Sequence, residues 1–146
     1  PSPSNTMTGN DCPAGAVVVT GGEPLMYNLS YLCTEIKKHD ITTYLETSGS
    51  HSMSGTWDWI CLSPKKFSPP LEENYRKADE YKVIIQSKGD FVWAEKNVHR
   101  LRDDCRLYLQ PEWSKVETIM EDLVAYVKAH PKWNISLQSH KYMHIP

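Results

Sequence analysis

The residues with the most chemical potential sit where short apolar runs stop. In "VVVTGGEPL" (17–25) a β-branched run ends in Gly21, Gly22, Glu23 and Pro24. Paired glycines remove side chains where the backbone turns sharply or where a ligand approaches it closely. Glu23 precedes a proline, which biases it to an extended conformation. Its carboxylate also lies near the start of a following helix, where negative charge is favoured. The turn can therefore present carbonyls and a carboxylate to a cationic group, or simply begin a helix.

Five more runs end in polar residues: Glu46-Thr47-Ser48-Gly49, Ser63-Pro64-Lys65-Lys66, Gln86-Ser87-Lys88, Gln110-Pro111-Glu112-Trp113 and Gln138-Ser139-His140-Lys141. Lys65 and Lys66, with the Ser63 hydroxyl beside them, can hold a carboxylate; they can equally be a solvated pair. Gln110, Trp113 and Gln138 suit a flat heterocycle, through hydrogen bonds and stacking, or serve strand-end backbone groups. His140 and His144 are four residues apart but follow a strand, so a helical two-histidine metal site is not expected. A ligand-contacting His140 is.

These ends must be positioned by alternating elements. "AVVVT" (16–20) reads as a strand buried on both faces. Pro24 suits a first helical turn, and Leu25, Leu29, Leu32 and Ile36 recur at helical spacing. "ITTYLE" (41–46) and "WICLS" (59–63) read as strands, and 69–78 as a short proline-led helix. "EYKVIIQ" (80–86) is a strand, Phe91, Ala94, Val98 and Leu101 mark a helix, and "RLYLQ" (106–110) is a strand stopped by Pro111. Ser114 and Glu117 have capping-box spacing. An amphipathic helix follows over Val116, Ile119, Met120, Leu123, Val124 and Val127, ended by Pro131, and "WNISLQ" (133–138) is the last strand. The alternation predicts an α/β fold of parallel strands with right-handed crossovers. An open doubly wound sheet and a barrel both fit, and in either the carboxyl ends of the strands form the binding rim.

Length and composition bound the rest. The 146 residues, 40 % hydrophobic and 23 % charged, suit one globular domain. A net charge of −2 offers no basic balance for nucleic acid. No run is long enough to span a bilayer, so a cytoplasmic protein without membrane contact is expected. Cys12, Cys33, Cys61 and Cys105 are widely spaced and form no Cys-x-x-Cys pair; Cys33 and Cys61 fall on apolar patterns and read as core residues. No nucleophile elbow, Walker loop or Gly-x-Gly-x-x-Gly occurs.

Taken together, "VVVTGGEPL", "YLETSGS", "WICLSPK", "EYKVIIQ", "LYLQPEW" and "ISLQSHKYMHIP" resemble the 7-carboxy-7-deazaguanine synthase family of radical S-adenosylmethionine (SAM) enzymes, from about residue 15 to the end. "GGEP" marks many radical SAM proteins; "LSPK" with "LQPEW" and the C-terminal segment is more specific. The resemblance implies a partial (β/α) barrel over 15–146, after an irregular segment 1–14. It implies ring contraction of 6-carboxy-5,6,7,8-tetrahydropterin to 7-carboxy-7-deazaguanine with loss of ammonia, on the way to 7-deazapurines such as queuosine. A 4Fe–4S cluster, SAM, Mg²⁺, an electron donor such as flavodoxin and a homodimer are implied with it. Carried over by position, Gly21, Gly22 and Glu23 would receive the SAM ammonium. Glu46, Thr47 and Ser48 would bind the ribose side, Ser63 and Lys65 the carboxylate, and Gln110 the adenine. Gly22, His140 and the Pro146 carboxylate would face the pterin.

The family's Cys-x3-Cys-x2-Cys cluster motif does not occur in the sequence. The first strand, the cluster loop and a substrate-binding arginine segment, expected upstream, have no counterpart either. An N-terminally incomplete chain is therefore expected, with an open sheet edge. A cluster-free SAM-binding relative without catalysis is the alternative.

Overall fold

The computed structural model describes residues 15–143. Six parallel strands form one sheet in the order β1-β2-β3-β4-β5-β6. They are β1 (Ala16–Val19), β2 (Thr42–Thr47), β3 (Trp59–Leu62), β4 (Glu80–Ile85), β5 (Arg106–Pro111) and β6 (Trp133–Ile135). The helices between and after them are α1 (Ser30–Lys37), α2 (Glu72–Lys77), α3 (Lys88–Val98), α4 (Val116–Ala129) and α5 (Ser139–Tyr142). A doubly wound sheet must reverse its strand order at some point. This order never reverses, so right-handed crossovers put the packing helices on one face. That decides between the two architectures: the sheet is a segment of a (β/α) barrel.

Alternation along each strand then sorts residues between two faces. Tyr81, Val83, Ile85, Leu107, Leu109 and Trp133 turn toward the helices and meet Tyr75, Phe91, Ala94, Ile119 and Leu123 in the core. Each large apolar side chain buried there contributes roughly 1.5–3 kcal/mol. Glu95 of α3 ties the outer layer together, its carboxylate accepting from Tyr126 Oη, Trp133 Nε1 and Lys132 Nζ at 2.7–2.9 Å. The opposite, concave face carries Tyr44, Glu46, Trp59, Cys61, Glu80 and Arg106, which with Val18 and Leu45 line a cavity of about 380 Å³.

Several sequence expectations are corrected. β1 is not buried on both faces: it pairs only with β2 among the described residues, and Val18 is 56 % exposed. The helix from Pro24 is interrupted. Pro24–Met26 form one 3₁₀ turn, after which Ser54 Oγ donates to the Tyr27 carbonyl and accepts from Leu29 N–H. Asn28 Oδ1 then accepts from Ser30 N–H at the start of α1. β5 runs one residue further than expected, to Pro111, whereas β6 covers only three residues. The Ser114–Glu117 box does not form, because a 3₁₀ turn (Trp113–Lys115) precedes α4 and Ser114 Oγ donates to Glu112 instead. The capping box lies at α3, between Ser87 and Asp90. Cys33 and Cys61 are buried as expected, and Cys105 with them. Residues 1–14, including Cys12, and the C-terminal His144 and Pro146 lie outside the described residues.

Candidate functional site

At the carboxyl end of the sheet, Gly21 and Gly22 take φ of +83° and +43°, conformations open to glycine at little cost. They turn the chain so that Glu23 reaches across to the loop after β2. Its Oε1 accepts from Leu25 N–H at 3.1 Å and from the Thr47 hydroxyl. Its Oε2 accepts from Ser48 N–H at 2.8 Å and from the Ser48 hydroxyl. A carboxylate offers about four acceptor positions, and all four are taken. Burial pushes the Glu23 carboxyl up, but the Ser48 and Thr47 hydrogen bonds outweigh it and hold the group below its usual range.

The loop that receives Glu23 is itself anchored. Gly49 has φ +73°, and a Cβ there would lie 2.4 Å from Leu62 Cδ1. Fully buried Asn74, on α2, donates through Nδ2 to the carbonyls of Gly49 and His51, both at 2.8 Å. Ser63 N–H donates to the Thr47 carbonyl at 2.8 Å, fixing the end of β3 against the same loop.

Glu46 sits on the concave face in a different environment. Oε1 accepts from Lys82 Nζ at 2.8 Å and Oε2 from Thr20 Oγ1 at 3.2 Å. Further along the rim, Lys65 is half-buried and borders a hollow of about 260 Å³ with Pro64, Ile84, Gln86 and Trp93. Its neighbour Lys66 pairs with Asp90 at the start of α3. Burial pushes the Asp90 carboxyl up, but Lys66 and the Gln86 and Ser87 N–H groups bring it below the ordinary range. Both lysines line that hollow, but Lys66 is tied to Asp90, whereas Lys65 forms an isolated backbone β-bridge with Ser68.

Gln110 is nearly buried, its Oε1 accepting from Ser136 Oγ at 3.3 Å. Trp113 packs edge-on against Tyr142 of α5, ring centroids 5.0 Å apart, with the Lys141 ammonium above it. His140 follows the last strand as expected and stands on the short helix α5, with an exposed side chain.

The structure therefore brings Gly21, Gly22, Glu23, Thr47, Ser48 and Ser63 into one cluster, with Glu46 on the adjoining concave face. His140 follows β6, at the other edge of the sheet from β1. Five strand spacings separate the two edges, about 24 Å along the sheet at ~4.8 Å per step. Sequence reasoning missed Lys82, Thr20 and Asn74. Among the described residues, no group of three His, Cys, Asp or Glu is placed to hold a metal ion. Carboxylates and turn carbonyls lie at the β1–β2 side of the sheet's carboxyl end, and Lys65 borders a separate hollow further along it. No helix among the described residues is long and apolar enough to cross a membrane.

No family model matches the chain. Comparison with characterised proteins does place it. It is 46 % identical to the 7-carboxy-7-deazaguanine synthase of Flavobacterium psychrophilum, over 91 % of this chain and 63 % of that protein. It is 45 % identical to the synthase of Synechocystis sp., over 87 % of this chain and 61 % of the relative. The chain thus spans about three fifths of the length of these two relatives. The crystal structure of QueE from Escherichia coli superposes with a TM-score of 0.70 and 28 % identity, over 86 % of this chain and 56 % of that one. The synthase of Prochlorococcus marinus shares 34 % identity, and the match covers 68 % of its length. The sheet order, the turn chemistry and these likenesses agree, and the chain belongs to the 7-carboxy-7-deazaguanine synthase family.

Proposed function

We propose that this chain carries the SAM-binding rim of a 7-carboxy-7-deazaguanine synthase. The whole protein would convert 6-carboxy-5,6,7,8-tetrahydropterin to 7-carboxy-7-deazaguanine with loss of ammonia. The observation that supports this best is the Glu23 latch, which locks the Gly-Gly turn after β1 to the Thr47–Ser48 loop after β2. A ligand ammonium at this turn meets the Gly21 and Gly22 carbonyls and the negative charge of Glu23. Ser48 Oγ has a second partner, Ser50 Oγ, at 3.0 Å. The Ser48 hydroxyl can therefore turn away and free one Glu23 acceptor position.

Glu46 would then take the ribose, Ser63 and Lys65 the methionyl carboxylate, and Gln110 the adenine edge, while Gly22, His140 and Pro146 would face the pterin. SAM supplies a hydrogen-abstracting radical when it is reductively cleaved. The residues of this chain bind it, orient it and fix its charged ends. The cluster is a poor fit to the cysteines of this sequence, and no step is assigned to them. Mg²⁺, an electron donor such as flavodoxin and homodimer formation belong to this same reading.

The alternative reading is a cluster-free SAM binder. Anaerobic reconstitution followed by iron and sulfide analysis, with turnover of the tetrahydropterin in parallel, separates the two. A stoichiometric cluster and product formation support the synthase. SAM binding without iron or product supports the binder. Absence of SAM binding overturns both.

A further inference from the structure

Two rim carboxylates differ in how many acceptor positions they have left. Glu23 has two donors on each oxygen. Glu46 has one on each: Lys82 Nζ on Oε1 and Thr20 Oγ1 on Oε2. Each Glu46 oxygen therefore keeps one acceptor position, and the side chain is 40 % exposed toward the concave face. Two free positions on adjacent oxygens match the two O–H donors of a cis-diol.

Lys82 is what holds that arrangement. It stands on β4 and reaches across β3 to β2, its side chain only 14 % exposed. Glu80, the nearest other carboxylate on the same face of β4, is occupied by Trp59 Nε1 at 3.3 Å and Cys61 Sγ at 3.5 Å. A half-buried ammonium bound to one oxygen fixes the rotation of the carboxylate more firmly than water would. The geometry points to Lys82 as a positioning residue for ribose recognition, acting through Glu46 and not by touching the ligand's reacting atoms. This rests on the reading of Glu46 as the ribose-facing group.

The test is calorimetric titration of the full chain with S-adenosylhomocysteine and with its 2′-deoxyribosyl analogue, folding being monitored by thermal unfolding. The wild type should prefer the ribosyl ligand by about tenfold, the scale of a hydrogen bond to a charged group. Lys82→Met should erase that preference, and Lys82→Arg, which restores a cation, should keep it. If Lys82→Met does not fold, Lys82→Gln carries the same test. A purely structural lysine would lower thermal stability and leave the ratio of the two affinities unchanged, which overturns the assignment. Glu46→Gln marks the other boundary. Preference lost there but kept in Lys82→Met refutes the role of Lys82 and leaves the ribose reading standing. Preference kept in both variants, or no binding of either ligand by the wild type, overturns the ribose reading and the role of Lys82 together.

Discussion

The turn around Glu23 and the concave patch around Glu46 place two carboxylates at the same end of the sheet and use them differently. Glu23 is consumed by its own protein: two backbone N–H groups and two hydroxyls fill it, and its work is to weld two loops together. Glu46 is braced by a lysine two strands away and a threonine just past β1, and stays half open. Carboxylates near a rim are thus not equivalent binding groups. The number of donors already on each oxygen decides which one shapes the site and which one has capacity for a ligand.

The contrast breaks most severely if the Glu23 loop is dislodged. Gly49→Ala forces a Cβ against Leu62 and an L-residue into positive φ, which should cost about 3 kcal/mol from strain and overpacking. Urea denaturation measures it, and an unchanged midpoint would mean that the loop is not held as described. Glu23→Gln should come next. It turns an amide N–H₂ toward donors that need an acceptor, at a cost on the order of 2 kcal/mol. The pH dependence sharpens that result. The Glu23 carboxyl is held below its usual value of 4.5, so its stabilisation is fully present above that pH. It is lost as pH falls through the folded-state value. The stability gap between wild type and Glu23→Gln should therefore narrow as pH falls below 4.5, and a gap that does not change at all across an acid titration would contradict the latch. Ser48→Ala is the mildest change. It removes one hydroxyl while leaving Ser48 N–H in place, for about 1 kcal/mol.

The same contrast explains how far the sequence could be read. Element order and the polar strand ends were legible because alternation, helical spacing and turn residues are local signals. Cys33 and Cys61 could be placed in the core for the same reason. The break after Met26 could not be seen, because the spacing from Leu25 to Ile36 continues through it while Ser54, from a distant loop, captures the backbone. "AVVVT" has the composition of a central strand but pairs on one side only among the described residues, which composition does not encode. Lys82 reads as one more polar residue in an alternating strand. Its partner is 36 residues away and emerges only from the sheet order. Asn74, in a short charged helix, shows its anchoring role only once the Gly49 and His51 carbonyls stand above it.

Equilibrium dialysis of labelled SAM against the wild-type chain, Glu23→Gln and Glu46→Gln tests the central claim most directly. One SAM per wild-type chain, with binding weakened by about tenfold or more in each variant, is the predicted result. No binding by the wild type, or equal binding by all three proteins, would contradict a SAM rim built on these two carboxylates.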